Sequence, residues 1–172
     1  MVGCGCGSET SSPGGSRYFG DPPGQEATRA RISHNDCVVL GKATEAEVRV
    51  ALRTESEPSP PSSRCLLRGR GVRVSIYLDA AYAARQRYYN RIVEQVQFYG
   101  TDPAKRPHAV AGVGDRSAHE HTASWIPALS TLYAVRDNRW LTVSYSTPGS
   151  SLPRQRDAAA ALARQAFSLT AG

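Results

Sequence analysis

The sequence predicts an α+β fold, in which an antiparallel sheet of about five strands packs against two to three helices. Helical periodicity and strand alternation follow one another in the order helix, two strands, long helix, three strands, helix. The strands of each group are joined by short turns, which is typical of antiparallel sheets. The chain has 172 residues and no internal repeat, so it is long enough for one domain with a hydrophobic core.

The first thirty residues differ from the rest in composition. Residues 5–16 are rich in glycine and serine, and Asp21-Pro22-Pro23-Gly24 is a turn-prone break. We therefore expect a disordered tether over residues 1–30 and a single α+β domain over residues 31–172.

A capping box and a proline-rich segment define the start of the domain. Thr44 and Glu47 have the spacing of a capping box, which predicts a short helix from Thr44 to about Arg53. Segment 55–63 contains three prolines and is predicted to be a loop.

Two strands and the longest helix come next. Strand 64–68 turns at Gly69-Arg70-Gly71 into strand 72–78, whose alternation places Val72, Val74, Ile76 and Leu78 on one buried face. Helical spacing then predicts a helix over 81–99 that ends at Gly100. Its apolar side is predicted to consist of Tyr82, Tyr89, Ile92, Val93, Val96 and Tyr99.

The last third of the domain is predicted to contain three strands and a helix. A strand is predicted over 117–123, and a hairpin over 129–136 and 140–146. Ser151 and Pro153 stand where a helix begins, so a final helix is predicted from there to about Leu169. Its core stripe is predicted to be Leu162, Ala166 and Leu169.

The positive charge does not indicate nucleic-acid binding. The net charge is +6 and the sequence pI about 9.4, but the arginines are scattered and form no run. Of the 21 basic residues only Lys42 and Lys105 are lysines, which is typical of a GC-rich genome. Anionic lipid head groups or acidic wall polymers are a better expectation for a partner than nucleic acid.

The N-terminus resembles the end of a bacterial lipoprotein signal. Met1-Val2-Gly3 precede Cys4 as a lipobox precedes its lipidated cysteine, although methionine stands where leucine is usual. The charged and apolar regions of a signal peptide are missing, so we expect that the true start lies upstream. The alternative is a cytosolic protein with a disordered tail, in which Cys4 and Cys6 are incidental.

Cys37 and Cys65 are predicted to form a disulfide. They flank the first helix and the proline-rich segment, so a bridge ties the start of the domain to its first strand. The lipobox and the even pairing of these cysteines favour an oxidising compartment.

Three further segments resemble small actinobacterial lipoproteins of uncharacterised function, including the mycobacterial Lpr- and Lpq-type proteins. They are Cys37-Val38-Val39-Leu40, the strand start Cys65-Leu66-Leu67, and the turn Gly112-Val113-Gly114-Asp115 before a hairpin. The resemblance covers about residues 31–170. It implies a surface-anchored α+β domain, with a PsbP-like sheet-and-helix architecture, and it brings no catalytic residues.

Two clusters are candidates for binding. On a strand, His119 and His121 point to one face and are weak candidates for Zn²⁺ or Cu²⁺ ligands, with His108 or Asp115 as a third; an exposed polar strand edge is the simpler interpretation. Tyr89 and Trp140 are expected in the core. Tyr88 and Trp125 are expected to be exposed ligand contacts.

Together these observations predict a non-catalytic, monomeric lipoprotein on the extracellular face of the cell membrane. It is anchored by diacylglyceryl and palmitate groups on Cys4, has no cofactor, and binds an envelope protein, a lipid or a wall polymer. A periplasmic metal-binding protein and a hydrolase whose site assembles only in the fold are the alternatives.

Overall fold

A computed structural model describes residues 31–59, 62–79, 84–100, 102, 106–122 and 129–171. These residues form three helices and one antiparallel sheet of seven strands in the order β1-β2-β3-β7-β6-β5-β4. The α+β class is therefore confirmed, with β1 and β4 added to the five predicted strands. The elements are α1 (His34–Val48), β1 (Arg53–Ser59), β2 (Ser62–Arg68), β3 (Arg73–Asp79), α2 (Ala84–Tyr99), β4 (His108–Ala109), β5 (Arg116–Thr122), β6 (Leu129–Arg136), β7 (Arg139–Ser146) and α3 (Leu152–Leu169).

Helices pack on both faces of the sheet. Leu132 and Ala134 of β6 belong to the large core under α1 and α3, whereas their neighbours Tyr133 and Val135 belong to a smaller core under α2. Successive strand residues point to opposite faces, so α1 and α3 share one face and α2 lies on the other. No helix in the described part of the chain is long and apolar enough to cross a membrane.

Helix α1 begins ten residues earlier than predicted. Ser33 and Asp36 form its capping box: the Ser33 hydroxyl accepts from the Asp36 backbone N–H at 3.2 Å, and the Asp36 carboxylate accepts from the Ser33 N–H at 2.8 Å. Thr44 lies inside the helix, where its hydroxyl donates to the Leu40 carbonyl at 2.8 Å. The prediction of a helix from Thr44 to Arg53 was wrong, because Cys37, Leu40, Gly41 and Thr44 form one buried helical stripe that requires a start before Cys37.

The proline-rich segment contains a strand rather than only a loop. Pro58 lies in β1 opposite Ser63 of β2. Strand β1 is at the edge of the sheet, where a residue without a backbone N–H is tolerated. Gly41 of α1 lets the helix approach this edge closely, since a Cβ there would lie 2.6 Å from the Thr54 hydroxyl oxygen.

Helix α2 packs through a different side from the one predicted. Ala84, Tyr88 and Gln95 are its buried residues, whereas the predicted core residue Tyr89 is 42% exposed. Val93 and Val96 are also exposed. The buried side is set by Trp140 and Tyr133 beneath the helix, which pack against Ala84 and Tyr88 rather than against the valines.

The predicted glycine turn shapes the start of β5. Gly114 has a positive φ of 62°, and a Cβ there would lie 2.5 Å from the Val135 carbonyl oxygen. The Asp115 backbone N–H donates to that same carbonyl at 2.8 Å. The Asp115 carboxylate accepts from the Asp137 N–H at 2.9 Å. This turn therefore joins β5 to the β6–β7 hairpin.

Helix α3 begins after Ser151 and ends at Leu169, as predicted. Leu162 and Ala166 are buried, but Leu169 is exposed, and Phe167 takes its place in the core. Near its start, the buried Gln155 accepts from the Ser130 hydroxyl at 2.9 Å and donates to the Thr147 carbonyl at 3.2 Å. These bonds fix α3 against β6 and the end of β7.

The disulfide between Cys37 and Cys65 is present. It joins α1 to β2, with Cα atoms 5.6 Å apart, and both cysteines are fully buried in the large core.

Candidate functional site

The main candidate site is an open groove on the α2 side of the sheet. Helix α2 contacts β6 and β7, and an open groove of about 540 Å³ on the same side of the sheet is lined by residues of β1, β2, β3 and β7. Its lining consists of Glu57, Ser62, Ser63, Arg64, Ser75, Tyr77, Trp140, Thr142 and Ser144.

Strand register places the polar side chains of the groove in rows. Arg64, Tyr77 and Thr142 are direct neighbours across β2, β3 and β7. Ser75 and Ser144 form the adjacent pair. Directly opposed residues lie about 5 Å apart, so this floor offers a regular array of hydroxyl groups.

Arg64 supplies the positive charge of the groove. Its Nε donates to the Ser75 hydroxyl at 3.1 Å, and its Nη1 lies 3.8 Å from a carboxylate oxygen of Glu57. None of the nine lining residues is a histidine, cysteine or lysine. The hydroxyl groups and Arg64 can therefore hydrogen-bond a polar ligand in the groove.

A buried charge network lies beside the groove, under α2. Glu120 of β5 is 5% exposed, and its Oε1 accepts from the Tyr133 hydroxyl and from Arg91 Nη2, the latter at 3.3 Å. Arg91 also donates to the Tyr133 oxygen, at 2.8 Å through Nη2. Gln95, oriented by these partners, donates to Glu120 Oε2 at 2.9 Å and accepts from Arg91 at 2.8 Å.

The network holds Tyr133 as a neutral phenol. Burial raises the pKa of Tyr133 far above its ordinary value, and the hydrogen bond to Glu120 raises it further. The Tyr133 ring also stacks on Trp140, with ring centres 5.6 Å apart. Through these contacts the network fixes the position of Trp140, whose side chain lines the groove.

A second ion pair fixes the start of α2. Arg87 Nη1 contacts one carboxylate oxygen of Asp79, the last residue of β3, and the Asp79 side chain is nearly fully buried. The other oxygen, Oδ1, is buried without a hydrogen-bond partner in the described part of the chain. Asp79 therefore holds the start of α2 through its ion pair with Arg87.

The histidines lie on the opposite face of the sheet, beside α3. His108 of β4 is directly opposite His119 of β5, and His121 follows on the same face. His119 is 6% exposed, so the expectation of an exposed strand edge was wrong: strand β4 and helix α3 enclose it. Among the described residues, no group of three or more His, Cys, Asp or Glu side chains is arranged to hold a metal ion.

Protonation of His119 is strongly disfavoured in the folded protein. Burial is the main cause and the nearby charges of Arg156, His121 and His108 add to it, so that the pKa of His119 is lowered from 6.5 to about 4. Its Nε2 has no hydrogen-bond partner among the described residues. The histidine is therefore a neutral core residue at neutral pH.

This shift predicts a pH-dependent stability. The unfolded chain takes up the proton below pH 6.5 and the folded chain only near pH 4, so the stabilisation is complete above pH 6.5 and is lost as the pH falls. We expect about 2 kcal/mol to be lost between pH 7 and pH 5. Urea unfolding of His119→Gln should show a smaller loss over this range than the unsubstituted protein. The exposed His34→Gln variant is the control, and an unchanged slope in His119→Gln would contradict the assignment.

Of the two aromatic residues predicted to be exposed ligand contacts, Tyr88 lies among the described residues. Tyr88, expected to be an exposed ligand contact, is 8% exposed, because its ring packs edge-to-face on Trp140 at 6.1 Å between ring centres. Burial raises its pKa. Trp140 is in the core, as expected. Trp125, Cys4, Cys6 and the tether over residues 1–30 lie outside the described residues.

A smaller cavity of about 300 Å³ lies between α1, α3 and the β2–β3 turn. Tyr145 lines it, and burial raises the pKa of this tyrosine to about 12, with the Glu47 charge adding to the effect. Arg154 pairs with Glu47 at 3.2 Å across its mouth. This ion pair connects α3 to α1, so the residues around the cavity serve to hold the two helices together.

No family model, no curated protein and no solved structure matches the chain. The groove residues and the buried network were missed by the sequence analysis. The alternation of β3 and β7 marked Ser75, Tyr77, Thr142 and Ser144 as the face opposite the core, and this was the available signal. It did not show that α2 would cover only part of that face.

Proposed function

We propose that this chain is a non-catalytic, lipid-anchored domain of the cell envelope, which binds an envelope ligand on the open face of its sheet. The disulfide between Cys37 and Cys65 is the observation that carries the proposal. Structural disulfides form and persist in oxidising compartments and are rare in the cytosol.

The position of the bridge supports a structural rather than a redox role. Both cysteines are fully buried, between α1 and the core face of the sheet. Reactive cysteines are partly exposed, so this bridge has the character of a permanent crosslink. With Cys4 as the lipidation site, it fits a protein that folds after export.

The chemistry of the described residues supports binding without catalysis. The groove presents hydroxyl groups and Arg64, whereas Glu120 is engaged by Arg91, Gln95 and Tyr133. His119 lies in the core on the other face. Glu120 and His119, two groups suited to acid–base chemistry, are thus used in structural contacts outside the groove, and Glu57, which lines the groove, is paired with Arg64.

Mass spectrometry of the protein from its native host, without reduction, tests this proposal. We expect a diacylglyceryl adduct with palmitate on Cys4, and a Cys37–Cys65 peptide pair two hydrogens lighter than the free thiols. The Cys4→Ser variant is the control and should move from the detergent phase to the aqueous phase on phase partitioning. Unmodified Cys4 together with free Cys37 and Cys65 would place the protein in the cytosol and overturn the proposal.

A further inference from the structure

The fold places three arginines from three consecutive strands side by side. Arg53 of β1 is directly opposite Arg68 of β2, and Arg68 is directly opposite Arg73 of β3. Opposed residues share a face, so these three side chains form an arginine row on the open, α2 side of the sheet. Neighbouring strands are about 4.8 Å apart, and the row spans about 10 Å.

The arginine row has little compensating charge within the protein. Arg53 pairs with Glu55 at 3.2 Å, but its side chain is 81% exposed. Arg68 and Arg73 are exposed and have no carboxylate within ion-pair distance in the described part of the chain. Like charges placed directly opposite each other destabilise a sheet, so the row is most stable with an anion bound.

A buried hydroxyl continues the row. Ser146 of β7 is directly opposite Arg73. Its side chain is 4% exposed, and its Oγ has no hydrogen-bond partner among the described residues. A buried hydroxyl without a partner costs free energy, and an anion oxygen at the end of the row would satisfy it.

We propose that Arg53, Arg68, Arg73 and Ser146 form a binding site for phosphate groups. The planar guanidinium group matches two phosphate oxygens at once, and a phosphate has enough oxygens to bridge guanidinium groups about 5 Å apart. The row is long enough for two phosphates. This inference deepens the proposed function by naming its ligand chemistry, but it does not depend on the lipid anchor.

Binding of tripolyphosphate to the purified full chain, measured by calorimetry at low ionic strength, tests the site. We expect Arg68→Gln/Arg73→Gln to lower the affinity at least tenfold and Ser146→Ala to lower it several-fold. The control is Arg136→Gln/Arg156→Gln, which removes the same charge from exposed positions outside the row and should change the affinity less than threefold. Arg68→Lys/Arg73→Lys keeps the charge but lacks the planar fork, so it should not restore full affinity.

Vesicle flotation distinguishes the source of the phosphate. Binding to vesicles of phosphatidylglycerol in phosphatidylcholine, but not to phosphatidylcholine alone, with loss in Arg68→Gln/Arg73→Gln, identifies a lipid headgroup. Binding of tripolyphosphate without vesicle binding identifies a soluble phosphate ligand. The site is overturned if neither probe binds, if the row variant and the control variant bind alike, or if the lysine variant binds as tightly as the unsubstituted protein. Far-ultraviolet circular dichroism confirms that each variant is folded, and the state of Cys4 affects none of these outcomes.

Discussion

Removal of the Cys37–Cys65 disulfide is expected to lower the free energy of unfolding by about 3–4 kcal/mol. The cysteines are 28 residues apart in the chain, and closing a loop of that length restricts the unfolded state by this amount in the chain-entropy model. Thermal and urea unfolding of Cys37→Ala/Cys65→Ala should therefore show a melting temperature lower by about 10 °C.

The loss should be concentrated at one end of the molecule. Helix α1 contacts the sheet through β1 and β2, and β1 is an edge strand held by β2 alone within the sheet. The bridge ties α1 directly to β2. Amide hydrogen exchange should accordingly increase first in α1 and β1, while β6 and β7 stay protected.

Cys4→Ala/Cys6→Ala is the matched control, because it removes two cysteines without touching the bridge. Its melting temperature should equal that of the unsubstituted protein. If the melting temperature of Cys37→Ala/Cys65→Ala also equalled that of the unsubstituted protein, the bridge would contribute no net stability to the fold.

The elements that the sequence predicted well are those with local signals. Strand β3 alternates along its whole length, and the α3 boundary is marked by Ser151 and Pro153. The β6–β7 hairpin is marked by polar residues at Asp137 and Asn138. In each case the signal lies within a few neighbouring residues of the chain.

Helix α1 shows where local signals compete. Ser33–Asp36 and Thr44–Glu47 both have capping-box spacing, and a cap alone does not choose between them. The choice depends on tertiary packing, because only the earlier start buries Cys37 and Leu40 against the sheet. Packing of this kind is not encoded in a short window of sequence.

We could not predict the groove, the buried network or the arginine row from the sequence, for a related reason. Arg91 is 42 residues from Tyr133, and Arg53 lies 15 positions before Arg68. Their proximity depends on strand register and on how α2 crosses the sheet. The arginines are scattered along the chain, but strand register brings three of them together on the surface.

Arg91→Ala is expected to lower the free energy of unfolding by about 3 kcal/mol. The substitution leaves the Glu120 carboxylate, with a side chain 6% exposed, without its cationic partner. Removing one partner of a buried ion pair costs about 3–5 kcal/mol, and the lower end applies because the Arg91 side chain is 37% exposed. Urea unfolding, monitored by the fluorescence of the buried Trp140, measures the change.

The double variant Arg91→Met/Glu120→Leu separates the charge pair from the packing of the helix. Apolar side chains of similar volume remove both charges, so this variant should be more stable than Arg91→Ala. Glu94→Gln is the control: Glu94 lies 3.9 Å from Arg91 Nη1 but is 67% exposed, so its loss should cost less than about 0.5 kcal/mol. An Arg91→Ala variant no less stable than Glu94→Gln would mean that Tyr133 and Gln95 alone satisfy the buried carboxylate. Helix α2 would then be held by the aromatic contacts of Tyr88 rather than by charge.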